Sequence, residues 1–195
     1  MKPCFDMPSD RSLSKTAALI LTAVVLSIRL ICSLCDEFDI AVVGICRDAG
    51  ILARLSYSFF HASLIHAIIN CWCLLSVVFV YNVPLSHLVI AYIIAVTYPA
   101  DTLCGACGEW VASVPTVGLS AVCFALLGMV AFKVRRKLYF QTWIITFIAI
   151  SFILPHLCSL YGLSVASPDN ILHIYSYVAG LIVGFLDSPA PWIRK

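Results

Sequence analysis

The chain carries no charged side chain between Arg54 and Asp101. That segment is about twice the roughly 20 residues that one helix needs to cross the hydrocarbon core of a bilayer. It therefore predicts two membrane-spanning helices, with a turn at Asn82, Val83 and Pro84. Of the 195 residues, 62% are hydrophobic and 11% are charged. A soluble domain has roughly 25% charged residues, so this chain could not cover a water-facing surface and a bilayer is its expected solvent.

Four further apolar segments bring the predicted number of spans to six. The first runs from residue 16 to about 35, the fourth from about 117 to 132, the fifth from 138 to about 156 and the sixth from about 171 to 186. The expected fold class is therefore an all-α membrane protein, a bundle of six transmembrane helices. We expect a tail over residues 1–15, the membrane domain over 16–187 and a second tail over 188–195.

Basic residues concentrate in the segments that six spans would place on one side. These are Lys2, Arg11 and Lys15, the run from Lys133 to Lys137, and Arg194 and Lys195. The opposite side receives mostly acidic residues, namely Asp36, Glu37, Asp39, Asp48, Asp101, Glu109 and Asp169, together with Arg47 and Arg54. Because positive charge marks cytoplasmic loops, both termini are predicted to be cytoplasmic. The charged loop over 32–56 is expected to be structured.

Polar side chains within apolar spans are costly, so each one is a functional candidate. The second predicted span contains His61, His66 and Asn70, while His87 and His156 lie near span ends. In a continuous helix, His66 and Asn70 would share a face and His61 would lie opposite Asn70. The spacing predicts an inward-facing polar pair, with His61 tying the top of the helix to a loop. The plainer alternative is three residues that hydrogen-bond neighbouring helices.

Ser120 lies in the first turn of the fourth predicted span, after Gly118. Free backbone N–H groups and the positive end of the helix dipole would favour a nucleophile there and could hold an oxyanion. Ala121, Ala125 and Gly128 form a stripe of small residues on the same helix, where a second helix could pack closely. A serine at a helix start is nevertheless more often a cap than a nucleophile.

The sixth predicted span supplies a partner for Ser120. His173, Gly180 and Gly184 lie on one helical face, with the small Ser176 beside them. If this face packs against the small-residue stripe of the fourth span, His173 reaches the depth of Ser120. Both residues lie near the starts of helices that run from the outside inward.

These segments together resemble the rhomboid family of intramembrane serine proteases. His61-x4-His66-x3-Asn70 resembles the family's HxxxxHxxxN, and Gly118-Leu-Ser120-Ala121 resembles GxSG. Asp169-Asn170-x-x-His173, with Gly180 and Gly184, resembles the pattern of the last helix, and Arg54-Leu-Ser-Tyr57 resembles the lead-in to the second. The resemblance covers roughly residues 16 to 187 and implies a rhomboid-like bundle of six helices.

The resemblance implies Ser120 as nucleophile and His173 as general base, with no acidic third residue and no cofactor. His66, Asn70 and the Ser120 N–H would hold the oxyanion, and His61, Gly118, Ala121, Ser176 and Gly180 would be structural residues near the site. The implied substrates are transmembrane segments of membrane proteins.

Three features depart from the family pattern or leave its alignment open. Ala121 replaces a glycine, and Tyr175 and Ser176 occupy positions where glycines are common. Another register would place Tyr177 at the base position. An inactive relative that binds transmembrane clients therefore stays the alternative.

Ten cysteines are many for this length, and Cys32/Cys35 and Cys104/Cys107 form CxxC pairs. Zinc or redox chemistry has to be considered for them, but an oxidising outer face favours disulfides, and no metal is expected. Cys46 and Cys158 are also placed at the outer face, whereas Cys71, Cys73 and Cys123 are explained equally well as small apolar residues.

The net charge of +2 does not indicate nucleic-acid binding. A transporter or channel would be expected to show paired half-helices, which the sequence does not show. Short tails without a targeting peptide favour a bacterial plasma membrane.

Overall fold

The computed structural model of the chain describes residues 8–34, 40–107, 115–160 and 169–187. These residues form nine α-helices and one 3-10 helix, over Tyr57–Phe59. The α-helices are α1 (Pro8–Leu34), α2 (Ile40–Val43), α3 (Ile51–Ser56), α4 (Leu64–Tyr81), α5 (Leu85–Val96), α6 (Ala100–Cys107), α7 (Ser120–Val130), α8 (Lys137–Leu160) and α9 (Asn170–Asp187). The expectation of a helical membrane protein is confirmed.

The six longest helices coincide with the six apolar segments of the sequence. Three of them are long and apolar enough to cross a membrane, over Asp10–Leu34, Leu64–Tyr81 and Asn170–Asp187. Three more are apolar but shorter over their described residues, namely Leu85–Val96, Ser120–Val130 and Lys137–Ile150. The number of spans and the side of the termini therefore stay predictions.

Two helices begin at residues other than those expected. α1 starts at Pro8, within the segment predicted to be a tail, because Arg11 and Lys15 are good helix formers and continue the helix beyond its apolar part. α4 starts only at Leu64, with Ser63 as its N-cap, so His61 lies outside the helix. Asn82 ends α4 in the left-handed conformation, at φ 48°, which confirms the turn predicted between the second and third apolar segments.

Charged groups separate to the two ends of the bundle as the topology predicts. At one end, Asp187 lies 3.5 Å from Lys133 and 3.3 Å from His87. At the other end, Arg54 binds Asp101 at 2.6 Å and the Asp101 carboxylate also accepts the Asp48 N–H. The structured loop predicted over 32–56 contains α2 and α3 in its described part. Asp36, Glu37, Asp39, Glu109, Lys2 and the tail over 188–195 lie outside the described residues.

α7 is the centre of the bundle, and each of its residues except Leu127 is buried. It packs on α9 through glycines that bring the two backbones together. A methyl group on Gly180 would collide with the carbonyl of Ala125, and one on Gly184 would collide with that of Met129. A methyl group on Gly128 would meet the carbonyl of Tyr177. The predicted contact between the two small-residue faces is therefore present.

Substitution of Gly180 by alanine should destabilise the fold, because the added methyl group has no space against the Ala125 backbone. Overpacking of this kind costs about 1–3 kcal/mol. We expect the apparent melting temperature of the purified protein in detergent to fall by several degrees. Gly50→Ala is the matched control, since no atom lies within 4 Å of its added methyl group. Equal melting temperatures for the two variants would contradict the packing described.

Candidate active site

The chain enters α7 through an irregular segment, residues 115–119, that the rest of the protein holds at several points. The backbones of Thr116 and Ile45 exchange two hydrogen bonds of 2.9 Å. The Gly118 N–H donates to the Tyr57 carbonyl at 3.0 Å, and the Leu119 N–H donates to His61 Nε2 at 3.2 Å. Irregular backbone at membrane depth requires such partners, because the bilayer core offers none.

Ser120 is the first residue of α7, and its hydroxyl oxygen lies 2.9 Å from His173 Nε2. Both side chains are buried, with 8% and 7% of their surface exposed. The N-cap residue Leu119 makes no side-chain cap bond, so it leaves the first N–H groups of α7 without that acceptor. In the His173 tautomer that carries its proton on Nδ1, the serine hydroxyl donates to Nε2. This is the arrangement of a nucleophile and its general base.

The His173 ring is positioned by packing rather than by a carboxylate. It stacks on Phe124 with the ring centroids 4.5 Å apart and the planes at 17°. Within the described residues, Nδ1 of His173 has no hydrogen-bond partner. Phe124 lies one turn after Ser120 on α7, a spacing that sequence reasoning could have used to find it but did not.

Asp169 holds the start of α9, which carries His173. Its carboxylate accepts the Leu172 N–H at 2.9 Å and the Thr116 hydroxyl at 3.4 Å, so it also connects α9 to the segment before Ser120. Burial raises the pKa of this carboxyl above its ordinary value, and its hydrogen bonds act in the opposite direction. The sequence motif identified Asp169 but did not show this link.

His61, His66 and Asn70 converge beside Gly118, which corrects the expectation that His61 lies opposite Asn70. That relation holds only within a continuous helix, whereas residues 60–63, between the 3-10 helix and α4, are not helical, and His61 lies beside Asn70 instead. The Asn70 amide nitrogen lies 3.1 Å from His61 Nε2. The His61 and His66 rings pack edge to face, with their centroids 5.0 Å apart. Since the Leu119 N–H donates to His61 Nε2, that nitrogen is an acceptor and the His61 ring is neutral.

Gly118 is required beside this cluster for two reasons. Its φ of 131° is one that side chains rarely adopt, and a methyl group on it would lie 2.9 Å from the His66 ring and 3.3 Å from the Asn70 amide nitrogen. The absence of a side chain at residue 118 leaves space in front of both polar groups. A small charged group could be held there by hydrogen bonds.

The residues that depart from the family pattern are accommodated without displacing the site. Ala121 and Ser176 are fully buried within the α7–α9 contact. The Tyr175 ring packs on Tyr98 at 5.5 Å, away from Ser120. The Tyr177 hydroxyl donates to Gln141 Oε1 on α8 at 2.5 Å, so His173 and not Tyr177 contacts Ser120.

The structure describes the side chains of five of the ten cysteines. Cys32 and Cys46, which the sequence places at the outer face, carry free thiols among the described residues, as do Cys71, Cys73 and Cys123. The disulfides expected at the outer face stay a prediction. Cys35 lies outside the described residues, and the side chains of Cys104, Cys107, Cys158 and His156 are not described.

Comparison with protein families identifies the fold that carries this site. The sequence model of the Rhomboid domain matches residues 50–190 of the chain. The chain belongs to the rhomboid family. The matched residues include Ser120, His173 and the cluster of His61, His66 and Asn70, and they leave out α1, α2 and Ile45. No curated protein and no solved structure matches the chain.

The role of His61 in this rhomboid domain generates a stability prediction. In His61→Leu, the buried Leu119 N–H loses its acceptor and the Asn70 amide loses its partner. Each unsatisfied buried donor costs about 1–3 kcal/mol. We expect a lower melting temperature for His61→Leu, with partial recovery in His61→Gln, whose amide oxygen can accept.

His66→Leu is the control, because the described hydrogen bonds of His66 involve its backbone and not its ring. An equal loss of stability in His66→Leu and His61→Leu would contradict the anchoring role.

Proposed function

We propose that this rhomboid protein is an intramembrane serine endopeptidase that cleaves transmembrane segments with a Ser120–His173 dyad. The observation that carries the proposal is the 2.9 Å contact between the Ser120 hydroxyl and His173 Nε2, at the start of a buried helix. His173 has no acidic partner in the described residues, which agrees with a dyad rather than a triad.

In the proposed reaction, Ser120 Oγ attacks the carbonyl carbon of the scissile peptide bond while its proton moves to His173 Nε2. The resulting imidazolium then donates that proton to the leaving amine nitrogen, and an ester to Ser120 remains. Water, deprotonated by His173, hydrolyses the ester and restores the serine hydroxyl. Stacking on Phe124 keeps the His173 ring in one orientation through both steps.

The tetrahedral oxyanion would lie in the space beside Gly118. The Asn70 amide has two N–H donors, and the contact with His61 uses one of them, so the second is free to face the oxyanion. The His66 ring and the Ser120 N–H would complete the set of donors. Because His61 holds both Asn70 and the backbone before Ser120, it positions these donors without contacting the substrate.

The substrate is proposed to be the transmembrane segment of a membrane protein, cut near its outer end. Ser120 lies at the end of α7 that adjoins Thr116 and Asp169, on the side predicted to face outward. A substrate helix must unwind locally before its peptide bonds can reach the serine. Small or helix-breaking residues should therefore mark the cleaved sequence. The bacterial plasma membrane stays a prediction from the sequence.

The alternative is an inactive relative that binds transmembrane clients without cutting them. It is favoured by Ala121, which adds a methyl group next to the nucleophile compared with the glycine of the family pattern. Ala121 is fully buried in the fold. Cleavage of a substrate, or labelling of Ser120 by a serine-reactive probe, separates the two functions.

A fluorophosphonate probe, which reacts with activated serines, tests the dyad on purified protein. We expect wild-type labelling, loss of labelling in Ser120→Ala, and a fall of about 10²–10⁴-fold in its rate in His173→Ala, since general base catalysis contributes about that much. Tyr177→Phe is the control, because its hydroxyl contacts Gln141, and it should label at close to the wild-type rate. Labelling that survives in Ser120→Ala, or wild-type protein that neither labels nor cleaves, would refute the proposed function.

Asn70→Ala tests the oxyanion site in a cleavage assay with a single-span substrate. Removal of one oxyanion donor costs about 10²–10³ in kcat. We expect a loss of that size in kcat with a smaller change in KM, because the amide would bind the developing charge rather than the ground state. Trp72→Ala on the same helix is the control, since that side chain is 72% exposed and faces away from the site. A change in KM alone would exclude an oxyanion role for Asn70.

A further inference from the structure

An apolar cavity of about 300 Å³ lies on the other side of α7 from the His173 contact. Ala17 and Leu21 of α1 form one wall, and Leu85 to Tyr92 of α5 form the opposite wall. Leu119 and Val122 form its floor. Val122 is two residues after Ser120, about 200° around the helix, so the cavity does not belong to the active site.

The cavity offers an occupant very few polar groups. Tyr92 contributes its ring to the wall, and its hydroxyl already donates to the Leu55 carbonyl at 2.5 Å. The rest of the lining is apolar apart from Ser58, whose buried hydroxyl has no hydrogen-bond partner among the described residues. One such hydroxyl does not give a buried water the two to four polar partners that it needs, whereas an apolar cavity of about 150 Å³ binds benzene, so a space of about twice that size should take an apolar guest.

The cavity lies between two helices that face lipid. Val89, in its wall, is 50% exposed, and Ile20, which lies beside Ala17 on the surface of α1, is 60% exposed. The apolar lining is thus continuous with a surface that the bilayer covers. Its length along α5, from Leu85 to Tyr92, is about 10 Å, or two helical turns.

We propose that this cavity binds one acyl chain of a bilayer lipid. A substrate helix is too large, because two turns of helix with side chains occupy roughly 800 Å³, given a diameter of about 10 Å. A flexible acyl chain can enter from the adjacent bilayer. The binding free energy would come from dispersion contacts between the acyl chain and the apolar walls of the cavity.

The bound acyl chain would pack against the segment that leads into Ser120. It contacts Leu119, the residue whose N–H is held by His61 and which directly precedes Ser120. The inference does not depend on the proposed protease activity, because an inactive rhomboid protein with this cavity would bind the chain equally.

A phosphatidylcholine with a diazirine in the middle of one acyl chain tests the site in nanodiscs. After irradiation, mass spectrometry should find several-fold more adducts on the lining residues Ala17, Leu21, Leu88 and Tyr92 than on the lipid-facing residues 23–24 of α1. Ala17→Phe, which fills the cavity, should reduce that excess several-fold. Ala23→Phe, at an exposed residue of the same helix, should leave it unchanged.

Val89→Phe provides a second variant at the mouth of the cavity. Val89 is half exposed, so the larger phenylalanine side chain should not strain the core. This variant should also reduce the excess, and its melting temperature checks that it is folded. Adducts spread evenly over the lipid-facing surface, or an excess unchanged in both filling variants, would overturn the proposal. Loss of the excess on adding a single-span peptide would show a protein segment in the cavity and would overturn it as well.

Discussion

The backbone contact between α7 and α9 is the interaction on which the rest of the structure depends. Gly180 and Gly184 place the α9 backbone against the carbonyls of Ala125 and Met129, while Gly128 admits the carbonyl of Tyr177. In a bilayer, close packing of this kind replaces the hydrophobic effect as the force that associates helices. It also fixes the distance between Ser120 and His173, which lie near the starts of the two helices. A wider separation would leave both side chains without a partner.

The second constraint is that buried polar groups need partners inside the protein. Residues 117–119, directly before α7, are buried, so they must satisfy their N–H and C=O groups within the fold. Ile45, Tyr57 and His61 supply those partners from the chain before and at the start of α4. The same contacts orient Asn70 and leave the space beside Gly118. The contacts that anchor the segment are therefore the same ones that shape the proposed oxyanion site.

The helix α7 has different surroundings on its two sides. One side meets α9 through backbone contacts and carries Ser120, with His173 held by the Phe124 ring. The other side, at Leu119 and Val122, faces an apolar cavity between α1 and α5. The first turn of α7, which carries Ser120, thus packs on α9 on one side. On the other side it faces the apolar cavity, which the surrounding membrane can fill. This difference links the lipid environment to the segment that positions Ser120.

The sequence by itself determined the apolar segments, the turn at Asn82 and the meeting of the α7 and α9 faces, because periodicity and small residues are local signals. The sequence motifs also indicated Ser120 and His173 as the candidate dyad, and His66 and Asn70 as candidate oxyanion residues. Only the tertiary structure showed where His61 lies. The angle between side chains in a continuous helix does not apply to His61, because α4 begins only at Leu64. The tertiary structure also decided between His173 and Tyr177, because one turn of register separates them and only the contacts with Ser120 and Gln141 distinguish the two. Phe124 could have been found from its spacing of one turn from Ser120, whereas the contacts of Tyr57 and the Asp169–Thr116 link join distant parts of the chain, which a single sequence does not encode locally.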